Sequence, residues 1–214
     1  MGAIDAVLWD FGGVFTSSPF DAFNRYEAER GLPRDVIRRI NSVTPDTNAW
    51  ARLERSEIGA SAFDSAFAEE ARALGYDIPG RDVLALLSGD LRPRVVEALT
   101  TCKARFKVGC ITNNAPTGKG AGMSLDPVKA ARIGEVFALF DHVIESSKSG
   151  VRKPDPRIYL MMCEALNVSA SNCVFLDDLG INLKPARELG MQTIKVVSEP
   201  QLLSDLSRIV GFDV

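Results

Sequence analysis

The stretch VLWDFGGVFTSSP, residues 7–19, begins as an apolar strand and stops at one carboxylate followed by two glycines. A solvated loop has no need of Val-Leu-Trp, and consecutive glycines weaken a strand interior. The pattern fits a buried strand that delivers Asp10 at its carboxyl end. Gly12 and Gly13 then let the backbone turn tightly and approach a ligand.

Further runs of the same kind follow along the chain. Ile4–Asp10, Phe106–Thr112, His142–Glu145, Cys173–Asp177 and Thr193–Val197 read as strands rich in Val, Ile, Leu and Phe. Such nearly continuous apolar strands are covered on both faces. Helix-period segments separate them, which predicts an α/β fold with a Rossmann-like parallel sheet. Pro156–Leu166 reads as a helix ending at Asn167, and Leu183–Leu189 as one closed by Gly190.

Residues 17–92 break the alternation. They contain amphipathic stretches, with Val36, Ile37 and Ile40 in one and Phe63, Phe67, Ala71 and Leu74 in another, and no strand. The division expected is therefore a core of residues 1–16 and 93–214 with an inserted helical cap subdomain at 17–92. An insertion directly after Asp10 would cover the crevice at the carboxyl edge of the sheet. The Gly-rich segment APTGKGAGMSLD, 115–126, reads as a mobile loop. Its TGKG fails the phosphate-loop pattern, because position 113 is Asn and Gly120 stands where Ser or Thr is required.

Four strand ends finish in residues suited to phosphoryl chemistry. They are Asp10, Thr112 with Asn113, Lys153 in SGVRKPDP, and the pair Asp177-Asp178. A parallel sheet gathers its strand ends along one edge, so these residues converge despite their separation in sequence. A carboxylate is ionised at neutral pH, so Asp10 can attack phosphorus and form an aspartyl-phosphate. Asp177 or Asp178, with Asp10, offers hard oxygen ligands to Mg²⁺, and the Gly12 carbonyl can face the same ion. Lys153 adds a positive charge against the phosphoryl oxygens, and Thr112 with the backbone near Asn113 donates hydrogen bonds to them.

Composition removes several other classes. The 214 residues are 46% hydrophobic and 25% charged, with a net charge of −3. No basic stripe marks a nucleic-acid partner. No apolar run is long enough to cross a membrane, and the N-terminus lacks the basic region of a signal peptide. Four scattered cysteines with no C-x-x-C pair read as reduced core thiols in a cytoplasmic protein. The single His, His142, excludes most His-based metal sites. Oligomeric state is open, a homodimer included.

Together these motifs resemble the haloacid dehalogenase-like hydrolase superfamily over nearly the whole chain. DFGGVFT resembles its nucleophile motif, ITNN the Thr/Ser motif, SGVRKPDPRIY the Lys motif and FLDDLGINLKPARELGM the acidic metal motif. The last two are similar to the phosphatase domain of soluble epoxide hydrolases and to the related domain fused to some acyl-CoA dehydrogenases. The resemblance implies a small helical cap and Asp10 as nucleophile. It places Mg²⁺ on Asp10, the Gly12 carbonyl and Asp178, with Asp177 supporting the metal or Lys153. It implies substrate contacts from Phe11, Gly12, Thr112, Asn113 and Lys153. The cap stretch WARLERSEI, 50–58, resembles the family's specificity loop and adds Arg52, Glu54 and Arg55.

The sequence departs from the phosphatases of that superfamily at one position. They carry a second Asp two residues after the nucleophile as general acid and base, and here that residue is Gly12. General acid–base help is worth ~10²–10⁴-fold, so its loss leaves a weak phosphomonoesterase unless the cap (Glu54 or Glu57) or the substrate supplies the proton. The leading expectation is a Mg²⁺-dependent phosphatase or phosphotransferase acting on a small phosphorylated compound. The alternatives are a metal-independent 2-haloacid dehalogenase and a non-catalytic binding module. The Asp177-Asp178 pair argues against the dehalogenase, which has no use for a dense anionic metal site.

Overall fold

The computed structural model of the chain describes residues 4–115, 123–124 and 126–214, so most of the Gly-rich 115–126 segment lies outside the described residues. Among the described residues the strands are β1 (Ala6–Trp9), β2 (Lys107–Thr112), β3 (His142–Glu145), β4 (Cys173–Asp177) and β5 (Gln192–Lys195). Five helices lie between β1 and β2's own helix: α1 (Pro19–Glu29), α2 (Val36–Ser42), α3 (Ala49–Glu54), α4 (Ala60–Ala73) and α5 (Gly80–Ala85). The remainder are α6 (Pro93–Lys103), α7 (Pro127–Phe137), α8 (Ser146–Ser149), α9 (Pro156–Leu166), α10 (Gly180–Glu188) and α11 (Glu199–Val210).

All strands pair in parallel, in the order β3-β2-β1-β4-β5. β1 is central, with β2 on one side and β4 on the other. The chain reverses its direction of winding at that point, where an open α/β sheet binds ligands. Register aligns Trp9 with Cys110 and with Leu176. The residues that follow these positions therefore emerge together at the carboxyl edge.

The strand period of two divides the core into two layers. Val7, Trp9, Val108, Cys110, Val174 and Leu176 pack under α6, α7 and α11, through Val95, Leu99, Ile133, Leu202 and Leu206. Ala6, Leu8, Ile111, Cys173 and Phe175 pack under α9 and α10, through Ile158, Met162 and Leu183. Gly109 allows the second layer its depth, since a Cβ there would lie 2.5 Å from Met162 Sδ and 3.0 Å from Leu8 Cδ2. All four cysteines are buried and unpaired, and His142 stands exposed at the start of β3.

Helices α1–α5 bury a third cluster of their own, built from Phe23, Ile37, Ile40, Leu53, Phe63, Phe67 and Val83. Their ends follow sequence signals. Ser18 caps α1 ahead of Pro19, and Asn48 caps α3 through the Ala51 N–H at 2.8 Å. Glu27, itself buried, accepts the Asp35 and Ile37 N–H groups at 2.6 and 2.9 Å and closes the start of α2. Two linkers run antiparallel where this layer joins the sheet. Thr16 bridges Leu91, and the Ser17 N–H donates to Asp90 O at 2.8 Å.

Several boundaries differ from the sequence expectation. β1 begins at Ala6 rather than Ile4, and β5 spans 192–195 rather than 193–197. Helix α10 starts at Gly180, ahead of Pro185, rather than at Leu183. Asp177, at the end of β4, accepts the N–H of the N-cap residue Leu179 at 2.7 Å and so fixes the chain where it enters the helix. Leu74 continues the apolar spacing of α4 but lies past its end and is exposed.

Phe63 packs between Trp50, edge-on, and Phe67, tilted, with ring centroids at 5.8 and 5.5 Å. Phe63→Ala is expected to destabilise the helical layer by about 3–5 kcal/mol. In urea denaturation followed by amide exchange, the acceleration should concentrate in residues 19–87 and spare β1, β2 and β4.

Candidate active site

Asp10 follows β1 and is held by its neighbours. Its backbone N–H donates to Leu176 O at 2.8 Å, continuing the sheet one residue past the strand. Its Oδ1 accepts the Phe11 N–H at 2.6 Å and lies 2.8 Å from Lys153 Nζ. Among the described residues Oδ2 has no protein partner, so it is the oxygen presented to the crevice.

Lys153 is almost fully buried, and its Nζ stands between Asp10 and Asp177, 2.7 Å from Asp177 Oδ2. Burial alone would lower the ammonium's pKa, but the charges of Asp10 and Asp177 reverse that and raise it, so Lys153 stays protonated. Burial pushes the Asp10 carboxyl well above its ordinary value, aided by Asp177 and Asp178 and opposed by Lys153. Asp177 is saturated. Its two oxygens take the Leu179 N–H, Lys153 Nζ and both contacts of the Asn182 amide, at 3.1 and 3.0 Å.

Asp178 differs from its neighbour. Its carboxylate has no hydrogen-bond donor from another residue among those described, and burial followed by the Asp177 charge pushes its pKa up to about 6. Gly13 makes its position available. A Cβ on Gly13 would lie 2.2 Å from Asp178 Oδ2 and 2.6 Å from its Cγ, and Gly13 has a φ of +74°. Gly12 is the opposite case, since a Cβ there would meet nothing within 4 Å. The site thus has room for a side chain at the position where Asp is absent.

The other expected residues separate into those that reach this cluster and those that do not. Thr112 ends β2, buried, with a hydroxyl unbonded among the described residues. Asn113 spends its side chain on Lys153: Nδ2 donates to Lys153 O at 2.9 Å, and Oδ1 accepts the Lys153 N–H at 2.8 Å. It holds the lysine loop through one N–H and one lone pair of that amide. The Phe11 ring is a core group, stacked on Phe137 at 4.3 Å and on Phe15 at 5.5 Å, so only its backbone borders the site. Arg52 is exposed, and Arg55 pairs with exposed Glu57 at 2.6 Å; no bond or ion pair joins either arginine to the cluster among the described residues. Hydrogen bonding from Arg55 lowers the Glu57 pKa, which makes it a poor proton donor. Glu54 is buried instead, and burial raises its pKa against the opposing charge of Arg152.

Three supporting residues escaped the sequence reading. Asn182 clamps Asp177, and Tyr159 Oη donates to Asn182 O at 2.7 Å, fixing the first turn of α10. The available signal was an Asn one helical turn past Asp178. Arg92 reaches back from the second linker and donates to Gly13 O at 2.8 Å and Val14 O at 3.2 Å. No local pattern announces a side chain that acts across a contact of this length.

One ligand atom from each of Asp10, Asp177 and Asp178 falls within 4.8 Å of the others. With all three ionised against one lysine, two negative charges remain uncompensated in a buried cluster. Asp10 Oδ2, Asp178 and the Gly12 carbonyl are hard oxygen donors without other partners among the described residues. That set fits Mg²⁺, which favours carboxylates and keeps several waters. Asp177, already saturated, fits the role of positioning Lys153 rather than of ligand.

Known proteins resemble this chain in sequence and in fold. Residues 4–190 match the family described as haloacid dehalogenase-like hydrolase. The chain is 30% identical to acyl-CoA dehydrogenase family member 10 of Mus musculus over 97% of its own length, but spans 19% of that relative. It is 33% identical to phosphatase MT3486 of Mycobacterium tuberculosis (strain CDC 1551 / Oshkosh), covering 91% of this chain and 88% of that one. The fold matches a HAD family enzyme of Bacteroides thetaiotaomicron, crystallised with magnesium and inorganic phosphate, with a TM-score of 0.60 and 17% identity over 92% of this chain and 96% of that one.

Gly13→Ala should displace Asp178 while leaving the sheet folded. The expected outcome is a loss of Mg²⁺ binding by isothermal titration calorimetry, whereas Gly12→Ala should bind the ion as the native chain does. Equal affinity in both variants would show that Asp178 takes no part in holding the metal.

Proposed function

Because the chain belongs to the haloacid dehalogenase-like hydrolases, we propose that it is a Mg²⁺-dependent phosphatase or phosphotransferase that acts on a small phosphorylated compound through an aspartyl-phosphate on Asp10. The observation that carries this reading is the buried Asp10–Lys153–Asp177 array with Asp178 open beside it. A phosphatase among the relatives supports the same class of substrate. The absence of any helix long and apolar enough to cross a membrane among the described residues, and four buried free thiols, accord with a cytoplasmic enzyme.

Each residue has a task in that reaction. Asp10 Oδ2 attacks phosphorus in line with the leaving oxygen, and the P–O bond to that oxygen breaks as the Asp10–phosphorus bond forms. Asp10 Oδ1 stays tied to Lys153 and the Phe11 N–H, which limits rotation of the nucleophile. Lys153 spends two of its three N–H bonds on Asp10 and Asp177 and directs the third at a phosphoryl oxygen. Thr112 donates its hydroxyl to another. Asp10, Asp178 and the Gly12 carbonyl would hold Mg²⁺, which would offset charge on the phosphoryl group. Water then hydrolyses the aspartyl-phosphate, releasing phosphate and restoring the carboxylate. Helices α1–α5 act as the cap that covers this edge and selects the substrate.

Gly12 sets the rate. A leaving alkoxide needs a proton, and a Gly offers none, whereas a phenolate leaves without one. Substrates with good leaving groups are therefore favoured, and alkyl phosphates are hydrolysed slowly.

p-Nitrophenyl phosphate should be hydrolysed with Mg²⁺, stop on chelation and fall to background in Asp10→Asn, while glycerol phosphate turns over far more slowly. Gly12→Asp, for which there is space, should accelerate the alkyl phosphate by ~10²–10⁴-fold with little change for the aryl substrate. No gain in that variant refutes the missing-acid argument. Metal-free halide release from a 2-haloacid would move the assignment to a dehalogenase.

A further inference from the structure

Helix α3 ends at Glu54, and the loop before α9 carries Arg152 immediately ahead of Lys153. Arg152 Nε lies 2.7 Å from Glu54 Oε2, with side-chain exposures of 18% and 7%. The contact is out of line for a hydrogen bond, and neither atom has a hydrogen-bond partner among the described residues. Glu54 Oε1 accepts the Trp50 indole N–H at 2.9 Å, which fixes the carboxylate on its helix. Arg152 Nη1 donates to Pro45 O at 3.0 Å, again in the helical layer, and Ser56 Oγ donates to Ser147 O at 2.7 Å nearby.

These contacts cross a seam that is otherwise loosely filled. A cavity of about 530 Å³ opens beside the pair, lined by Asp46 and Arg55 from the helical layer and by Val151, Arg152, Pro154 and Asp155 from the loop. Polar bonds rather than close packing therefore hold the loop to the layer here. The Lys153 backbone is gripped from the other side by Asn113. Its ammonium must stand 2.8 Å from Asp10 and 2.7 Å from Asp177. A shift of ~1 Å in such a group is enough to cost catalysis about a hundredfold.

We propose that Glu54 and Arg152 are positioning residues whose buried ion pair transmits the seating of the helical layer to the Lys153 loop. Lys153 is then fully set between Asp10 and Asp177 only while that layer is closed on the sheet. Its kinetic expression rests on the phosphatase reading, but the coupling itself does not.

Glu54→Gln, Arg152→Gln, the double variant and the conservative Glu54→Asp test it. Three quantities are read: kcat and KM on p-nitrophenyl phosphate and glycerol phosphate with Mg²⁺, the urea midpoint, and amide exchange. Either single change should lower kcat by about tenfold on both substrates with little effect on KM, and Glu54→Asp should recover most of it. The double variant should fall no more than about twofold below the singles, because both remove one interaction. Exchange in residues 147–155 should accelerate while β4 stays protected. Unchanged exchange there in a folded variant, or single losses that multiply in the double, overturns the proposal. A loss confined to glycerol phosphate also overturns it, by making Glu54 a proton donor. Should Glu54→Gln fail to fold, Arg152→Lys keeps the charge, loses the planar contact and is read the same way. If the native chain hydrolyses no phosphate, the functional assignment fails and the exchange measurement alone decides the coupling.

Discussion

One ammonium group constrains the molecule more than any other. Lys153 Nζ lies between Asp10 and Asp177, away from water, and must keep both partners. Removing one partner of a buried pair typically costs about 3–5 kcal/mol, because the remaining charge is stranded. β1 and β4 must therefore end at the same level, which their parallel register provides. Asn182 and Tyr159 must hold Asp177, and Asn113 must hold the lysine's backbone. The electrostatic requirement thus extends from one side chain to the ends of three strands and the first turns of two helices.

What distinguishes that group from a structural ion pair is the number of carboxylates around it: three share one ammonium, so ionising all of them calls for a further cation. Asp177 is consumed by its hydrogen bonds, whereas Asp10 Oδ2 and Asp178 face the crevice with none from other residues among those described. Two adjacent aspartates thereby have different environments: Asp177, the last residue of β4, is held by its neighbours, and Asp178 lies just past the strand end.

Much of this was legible in the sequence, and the limits have physical causes. Strand cores and the convergence of Asp10 with the Asp177-Asp178 pair follow from apolar runs that stop on polar residues; Lys153 ends no strand and reaches them from the loop between α8 and α9. Parallel pairing turns sequence distance into proximity. The division of labour between Asp177 and Asp178 was not legible, because it depends on which way each side chain leaves the strand end and on the early start of α10. That Asn113 also grips the backbone of the Lys153 loop was not legible, because the two residues are far apart in sequence. Phe11 reads as part of a binding motif, yet its ring belongs to the layer of Phe15 and Phe137. Glu54 and Arg152 meet only after the helical layer folds over the sheet, and nothing in the spacing of two charges so far apart announces it.

The neighbouring glycines have different histories open to them. A side chain at Gly13 would have to displace Asp178 and adopt a left-handed φ, whereas a Cβ at Gly12 would meet nothing within 4 Å. A glycine codon ending in a pyrimidine becomes an aspartate codon through one base change, and at Gly12 the fold places no steric barrier in the way. On the proposed phosphatase reading, a lineage carrying this chain could therefore gain the missing acid in a single mutational step, with no clash at the first atom of the new side chain to oppose it.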